Sequence, residues 1–483
     1  MKQAFISNIF LILGVNLLIK PLYIIGIDAG VQNSVGAETY GVFFALYGFC
    51  FLFQILLDPG IQNYNIKTIS GDRALFNKAF PSLILTKGLL AVAFFVIIFV
   101  ASLFMGYPAA YYKFLYLIIA LQICISFFLF LRGNLSSLGY YRLDSFMSAA
   151  DKFLLIFIVG YLLYFSPSKD QFVIEWFLYA QIITYIFLIC IALFLLKNHI
   201  NNVSFAIDLA YIKKTLKASL PFGFVFLLMS VYTRIDGVML ERMCHDNGKE
   251  AGIYAASYRL LDAANMIGFL FSTLLLPMFS NLQNRLEELY KLSLTAVKIM
   301  MPLASIIALA SMCYAEEIIT LIYVNGDHYY ASILQILMSC FFFTSIAYIY
   351  GCMILAKGKL RGLNTVFLVC IMINVVLNLY LIPTHKAYGA AFATLFTQLF
   401  VVLCQIYIAH RLYKIRVDLA TIVRVVLFIG LSIIVFYYGK SLFSPHWTIK
   451  LIISSIFSVI LSFLVGLLRL NTAKQLLLNR TDN

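Results

Sequence analysis

A chain of 483 residues that is 63% hydrophobic and 12% charged, with a mean hydropathy of +0.95, is too apolar to be a soluble globular or a disordered protein. Its formal net charge of +14 does not by itself call for nucleic acid, because in a membrane chain the placement of Lys and Arg carries more information than their total. The composition predicts an all-α integral membrane protein, and no run alternates as a barrel strand would.

Hydropathy divides the chain into about fourteen apolar runs of roughly 18 to 25 residues, each able to cross a hydrocarbon core of ~30 Å. Span 1, about Phe5 to Ile27, contains Asn16, Lys20 and Pro21, and so is polar in mid-membrane and prone to kink. A loop over Asp28 to Thr39 leads to span 2, about Tyr40 to Leu57, which Asp58-Pro59-Gly60 terminates. Spans 3 to 6 follow near Phe80 to Phe104, Phe114 to Leu131, Phe146 to Phe165 and Phe172 to Leu196.

The stretch Asn201 to Leu220 breaks the pattern. Phe205, Leu209, Ile212 and Leu216 recur at helical spacing, with Lys213, Lys214 and Lys217 on other faces, which predicts an amphipathic helix lying on the inner leaflet. It separates an N-terminal lobe, 1–200, from a C-terminal lobe, 221–410, and residues 411–483 add two plainer spans and a tail. Spans 7 and 8 run about Pro221 to Leu240 and Ile253 to Pro277, with a short amphipathic stretch after them. Spans 9 to 12 lie near Leu294 to Tyr314, Ser332 to Leu355, Gly362 to Ile382 and Tyr388 to Ala409, and the last two near Ile422 to Tyr438 and Trp447 to Leu468.

Lys and Arg alternate from loop to loop, 21 against 7, so the positive-inside rule predicts an even number of spans with both termini cytoplasmic. The nine cysteines fall mostly within spans and, with the histidines, form no metal-ligand spacing, so neither a metal nor a cofactor is expected. An internal echo supports two related lobes. Gly36-Ala-Glu38-Thr-Tyr-Gly41 precedes span 2 much as Gly248-Lys-Glu250-Ala-Gly252 precedes span 8, 212 positions later, and each follows a span with a mid-membrane cation, Lys20 or Arg234. Repeats of this kind place a substrate path between lobes.

Asn374-x-x-x-Asn378-x-x-Leu-Ile-Pro383 followed by Gly389-Ala-Ala-x-Ala-Thr394 resembles the span 11 to 12 signature of the polysaccharide transport family, the bacterial oligosaccharide-lipid flippases related to O-antigen flippases. Asp58-Pro-Gly60, the Gly-x-Glu-x-Gly-x-Tyr-x-Ala entry to span 8 and Leu355-Ala-Lys-Gly-Lys359 are similar to that family as well. Pro59 and the insertion-like Thr384-His-Lys-Ala387 depart from its usual pattern. The resemblance implies the fold of the multidrug/oligosaccharidyl-lipid/polysaccharide exporter superfamily, with two pseudo-symmetric six-helix bundles and two appended helices in the bacterial inner membrane. It further implies alternating access for an undecaprenyl-diphosphate-linked oligosaccharide. Membrane lipids, a coupling ion (proton or sodium) and a polysaccharide polymerase are the partners in view.

A charge at the bilayer centre costs from ~3 to more than ~10 kcal/mol, so it persists only beside a partner or a wet cavity. Lys87, Lys152, Lys298 and Arg424 lie within a turn or two of the inner interface, where snorkelling is the plain expectation. Lys20, Arg234 and Arg259 lie deeper, in repeat-related spans, and form the expected cationic cavity for a diphosphate, with Arg offering bidentate donors. Asp262, three residues after Arg259, shares its helix face, whereas Arg234 and Asp236 do not face one another. Asp236 and Asp262 are thus either ion-pair partners of the arginines or carriers of the coupling ion. Asn374 and Asn378 share a face of span 11, as sugar donors or as interhelical hydrogen-bonding groups.

An enzyme would need positioned acid, base or metal groups, usually on a sizeable extramembrane segment, and Glu316, Glu317 and Asp327 are the only acidic grouping of note; no catalytic residue is expected. A multidrug exporter of the same superfamily would share the architecture but favour an acidic cavity. A lipid II flippase also handles a diphosphate lipid and remains an open alternative.

Overall fold

A computed structural model describes residues 18–72, 75–200, 208–414, 418–441 and 446–468. Most of span 1 with Asn16, the start of the interlobe stretch and the tail lie outside the described residues. Those described are almost wholly helical. A π-turn, Tyr23–Asp28, opens into α1 (Ala29–Leu52), followed by α2 (Ile61–Gly71), α3 (Phe76–Phe104), α4 (Tyr112–Ser137), α5 (Tyr141–Gly160), α6 (Ile174–Ile200) and α7 (Leu209–Cys244). Next come α8 (Lys249–Asn281), α9 (Leu286–Cys313), α10 (Ala315–Ile322), α11 (His328–Ala356), α12 (Leu360–Tyr413), α13 (Leu419–Gly439) and α14 (Trp447–Leu464).

Among the described residues, twelve helical stretches are long and apolar enough to cross a membrane. Two of these are broken midway by residues off the helical backbone, Gly36 (φ 82°, ψ 162°) and Lys386 (φ 51°, ψ −131°). Each break divides its stretch into two helical segments, so the expected count of about fourteen holds only approximately. The expected loop Asp28 to Thr39 is helical apart from the break at Gly36, and Thr384 to Ala387 is a single kink rather than an inserted loop. Sequence expected neither α2, which follows the Asp58-Pro-Gly turn, nor the short α10.

Contacts divide the chain into two compact units, Met1–Ala255 and Ala256–Asn483, with the boundary inside α8. This is a division by packing; the lobes expected from the sequence are defined by repeat relation. In the first unit α7 packs along α1, α2 and α3. The described part of the interlobe stretch is not a separate helix but the first turns of α7. Asp208 starts it, its carboxylate accepting from the Tyr211 N–H at 2.9 Å as an N-cap does. The missed helix α2 is tied to α4 by Asn65, whose amide donates to the Asn134 carbonyl oxygen at 3.1 Å, both residues being buried. In the second unit α11 packs on α9 and α12, and α13 on α9 and α14; Tyr314, Phe436 and Trp447 form a cluster among the last group.

The two echo motifs meet. A Cβ added to Gly41 would lie 1.8 Å from the Gly248 carbonyl oxygen, and one added to Gly252 would lie 2.0 Å from that of Ala37. The Gln32 side-chain amide donates to the Gly252 carbonyl at 2.9 Å beside this contact. Backbones approach this closely only where side chains are absent, the means by which membrane helices associate without a hydrophobic drive. Gly41→Ala and Gly252→Ala are each expected to lower the stability of the detergent-solubilised protein by at least about 1–3 kcal/mol. Thermal unfolding of each variant checks this, and an unchanged midpoint would mean the contact is loose.

Candidate functional site

Between Leu52 and Ile61 the chain leaves the α-helix, passing through a 3-10 turn at Gln54–Leu56 to Gly60, which takes φ 89° and lets α2 begin. A Cβ on Gly60 would stand 2.6 Å from the Ser219 carbonyl oxygen, so the Asp58-Pro-Gly60 elbow lies directly against α7. The elbow, the end of α1 and one face of α4 and α7 enclose a partly open cavity of about 400 Å³. Such a volume lies in the range of small-ligand sites, ~300–1,000 Å³.

Its wall is mostly apolar, with Phe51, Leu52, Ile55, Leu129 and Phe226, and its polar groups are few and placed together. Phe226, Ser230, Thr233 and Arg234 recur at helical spacing on α7. Gln54, Asp58 and Gln62 come from the elbow and the start of α2, and Ser126 from α4. The Ser230 and Thr233 hydroxyls donate to the carbonyls of Phe226 and Met229, one turn back along α7. The Arg234 guanidinium lies 5.7 Å from the centre of the Phe51 ring, a cation–π contact that orients it.

The structure does not gather all the expected residues here. Of the three expected cations, Arg234 lines the cavity. Lys20 belongs to a different cluster of the first unit, within electrostatic reach of Asp151, Lys152 and Arg132. Arg259 belongs to the second unit, where its guanidinium stands 3.7 Å from Asp262, as an i, i+3 spacing requires; both side chains keep about a fifth of their surface exposed, 18% and 22%. Asp236 is buried on the face of α7 away from Arg234, and the Tyr254 hydroxyl donates to it at 3.0 Å.

Two expectations about the remaining polar residues need correction. Lys87 does not snorkel: it is 1% exposed and donates to the Leu57 carbonyl at 3.0 Å, the Asp58 carboxylate at 3.1 Å and the Ser126 hydroxyl at 2.9 Å. Lys152 likewise turns inward, 3.6 Å from Asp151 and 4.5 Å from the centre of the Tyr23 ring. Asp58, first read as a helix terminator, thus proves to be a cavity residue and the counterion of a buried lysine. Nothing in its local sequence marks that role, because its partner is 29 residues away.

Asn374 and Asn378 are wholly buried, and the Asn378 amide donates to the Asn374 carbonyl oxygen at 3.0 Å. That bond runs within α12, not between helices, and both side chains are closed off from the surface. Asn374→Ala is expected to reduce stability by about 1–2 kcal/mol while leaving transport per folded molecule unchanged. Thermal unfolding and transport measured on the same preparation check it; a selective loss of transport would restore the sugar contact. No group of His, Cys, Asp and Glu among the described residues is arranged to hold a metal ion.

Residues 5–283 match the model of a family described as polysaccharide biosynthesis protein. No curated protein matches the chain by sequence. Among solved structures, the chain is similar to the lipid II flippase MurJ in an inward closed conformation, with 14% identity and a TM-score of 0.71 over 95% of this chain and 98% of that one. An inward-facing multidrug resistance MATE family transporter of the MOP superfamily aligns at 15% identity and a TM-score of 0.62, over 84% of this chain and 100% of that one. A MOP superfamily transporter from Pyrococcus furiosus, described as having a binding pocket of reverse polarity, aligns at 14% identity and a TM-score of 0.57 over 85% and 95%. At such identities the likeness shows a shared transporter fold and no more.

Proposed function

This chain belongs to the polysaccharide biosynthesis protein family, and from that we propose that it is a flippase, not an enzyme, which moves an undecaprenyl-diphosphate-linked oligosaccharide across the bacterial inner membrane. The observation that carries this reading is the cavity at Arg234, a cation at membrane depth beside a headgroup-sized space. Moving a diphosphate through hydrocarbon requires that the protein supply compensating charge along the way. Arg234, with Lys20 and Arg259, provides it in this proposal, in the course of alternating access. The coupling ion, proton or sodium, falls to Asp262 rather than Asp236, since only Asp262 keeps appreciable contact with solvent.

A second reading, transport of lipid II, is favoured by the extent of the likeness to MurJ. Both substrates present a diphosphate on a polyprenyl chain and differ in the glycan. Purified protein in liposomes loaded with either lipid separates them: the first reading expects movement of the lipid-linked repeat oligosaccharide, and movement of lipid II alone would replace it with the second.

The cationic residues are tested in cells. Arg234→Ala and Arg259→Ala are expected to abolish surface polysaccharide at undiminished protein level, while Arg→Lys keeps partial function because charge remains without the bidentate fork. Arg259→Ala should accumulate normally because Asp262, 22% exposed, can be hydrated. Normal export by the double Ala variant would remove these arginines from the mechanism.

Both termini are placed in the cytoplasm, the orientation that the loop charges favour. Reporter fusions at Asn33 and Gly326 should read as periplasmic and one after Arg480 as cytoplasmic, and a periplasmic C-terminus would reverse the orientation.

A further inference from the structure

Asn374 and Asn378 are closed off from the surface, so groups able to hydrogen-bond a glycan lie where polar side chains remain open. In the first unit the wall of the cavity beside the Asp58-Pro-Gly60 elbow carries two such side chains, Gln54 and Gln62.

Gln54 stands on the 3-10 turn and Gln62 on the first turn of α2. Neither side-chain amide hydrogen-bonds another described residue, and both residues keep part of their surface open. An amide offers two donors and an acceptor oxygen, a match for neighbouring sugar hydroxyls, each of which both gives and takes a hydrogen bond. The carboxylate between them in sequence is already engaged. Asp58 accepts the Gln62 backbone N–H at 3.3 Å on Oδ1 and the Lys87 ammonium at 3.1 Å on Oδ2. The first of these bonds meets one of the amides that a helix start leaves open, and so holds the first turn of α2. The Gln62 stem in turn lies against α4, where a Cβ added to Gly133 would stand 3.4 Å from its Cγ. Its amide is thus carried on a supported stem, which lowers the cost of ordering it around a ligand.

Helix α7 adds Ser230 and Phe226 to the same wall. Ser230 gives its only proton to the Phe226 carbonyl at 2.7 Å, so toward a ligand its oxygen acts as an acceptor. Phe226, 51% exposed, adds an aromatic ring whose negative face attracts the C–H side of a pyranose. Ser230 precedes Arg234 by about one turn, ~6 Å along the axis. A phosphate at Arg234 and the sugar attached to it can span that interval.

We propose that Gln54 and Gln62 are specificity-determining residues that read the sugar next to the diphosphate, with Ser230 as an acceptor and Phe226 as an apolar platform. The proposal rests on the reading of this cavity as the headgroup site. The choice among sugars falls to uncharged groups, whereas the diphosphate is common to every candidate lipid. A site built to hydrogen-bond a given hydroxyl rejects an analogue that cannot meet it, because its own polar groups then stay unpaired.

The full-length protein in nanodiscs is titrated with farnesyl diphosphate, and with farnesyl diphosphate carrying one glucose, galactose, N-acetylglucosamine or N-acetylgalactosamine. Thermal unfolding is recorded for every variant. The unaltered chain is expected to bind at least one of the four glycolipids about tenfold or more tightly than farnesyl diphosphate, the gain from two or three added hydrogen bonds. Gln54→Leu and Gln62→Leu should each cut that gain about threefold or more while leaving farnesyl diphosphate within about twofold, since neither amide is tied to the protein. The two changes together should bring the glycolipid within about twofold of the bare diphosphate. If a Leu variant fails to accumulate, the unbranched Gln54→Met and Gln62→Met carry the same expectation, and Ser230→Ala on α7 should likewise cut the gain about threefold.

A gain that survives the double variant overturns the proposal. So does a parallel loss of both kinds of ligand at an unchanged unfolding midpoint, which would make the glutamines supports of the cavity as a whole. An unaltered chain that binds farnesyl diphosphate and prefers none of the glycolipids ends this inference and leaves the headgroup reading standing. A chain that binds neither farnesyl diphosphate nor any glycolipid ends both.

Discussion

At Leu57 and Asp58 the chain leaves its helix within the bundle, and one ammonium group, that of Lys87, collects the carbonyl and carboxylate exposed there together with the Ser126 hydroxyl. In a membrane protein irregular backbone survives only where its polar groups are met by protein or face a wet cavity. Here both conditions hold on opposite sides of the same turn. Because the break is held in this way, Gly60 can turn, α2 can start, and the elbow can rest against α7 closely enough to leave a cavity beside Arg234. Removing one partner of so buried a pair costs on the order of 3–5 kcal/mol, a large share of a typical folding free energy.

The gross architecture could be read from the sequence because it depends on the most averaged of signals, the hydropathy of about twenty residues at a time. The polar pairs could be read only where they are local. Arg259 and Asp262 share a face at i, i+3, and Asn374 and Asn378 at i, i+4, and the structure places both pairs in contact or within reach. Whether such a pair faces a cavity or the core was not written in its spacing, and Asn374 and Asn378 turned out to be core. Lys87 was illegible for a different reason. α3 is apolar on its lipid face and on its protein face alike, so no periodicity tells which way a lysine on it must point. Its partner comes from another helix break, and only tertiary packing joins them.

The breaks in the long helices were misjudged in a similar way. Runs of polar and small residues at Asp28 to Thr39 and at Thr384 to Ala387 read as loops, yet in each the chain deviates from helical geometry at one residue. Gly36 takes a positive φ without cost, whereas Lys386 does so against the preference of a side chain bearing a Cβ. At Gly36 the sequence also carries one half of the internal echo. Once the two motifs are seen packed on one another through Gly41, Gly248 and Gly252, their glycines have a reason that composition alone could not supply: each clears space for the backbone of the other.

A fold shared at 14% identity by a flippase and by multidrug transporters constrains which residues face lipid and which face protein, but leaves the polarity of a cavity to a handful of positions. Reading that polarity from lining residues alone would balance Asp58 against Arg234 and conclude that this cavity has no preference. A carboxylate 3.1 Å from a buried ammonium does not act on a ligand as an isolated anion, because in a poorly solvated interior the two fields largely cancel at a distance. Asp58 and Lys87 therefore act as one electrostatic unit, although only Asp58 lines the cavity. The polarity of this wall thus depends on a residue that its own lining does not include.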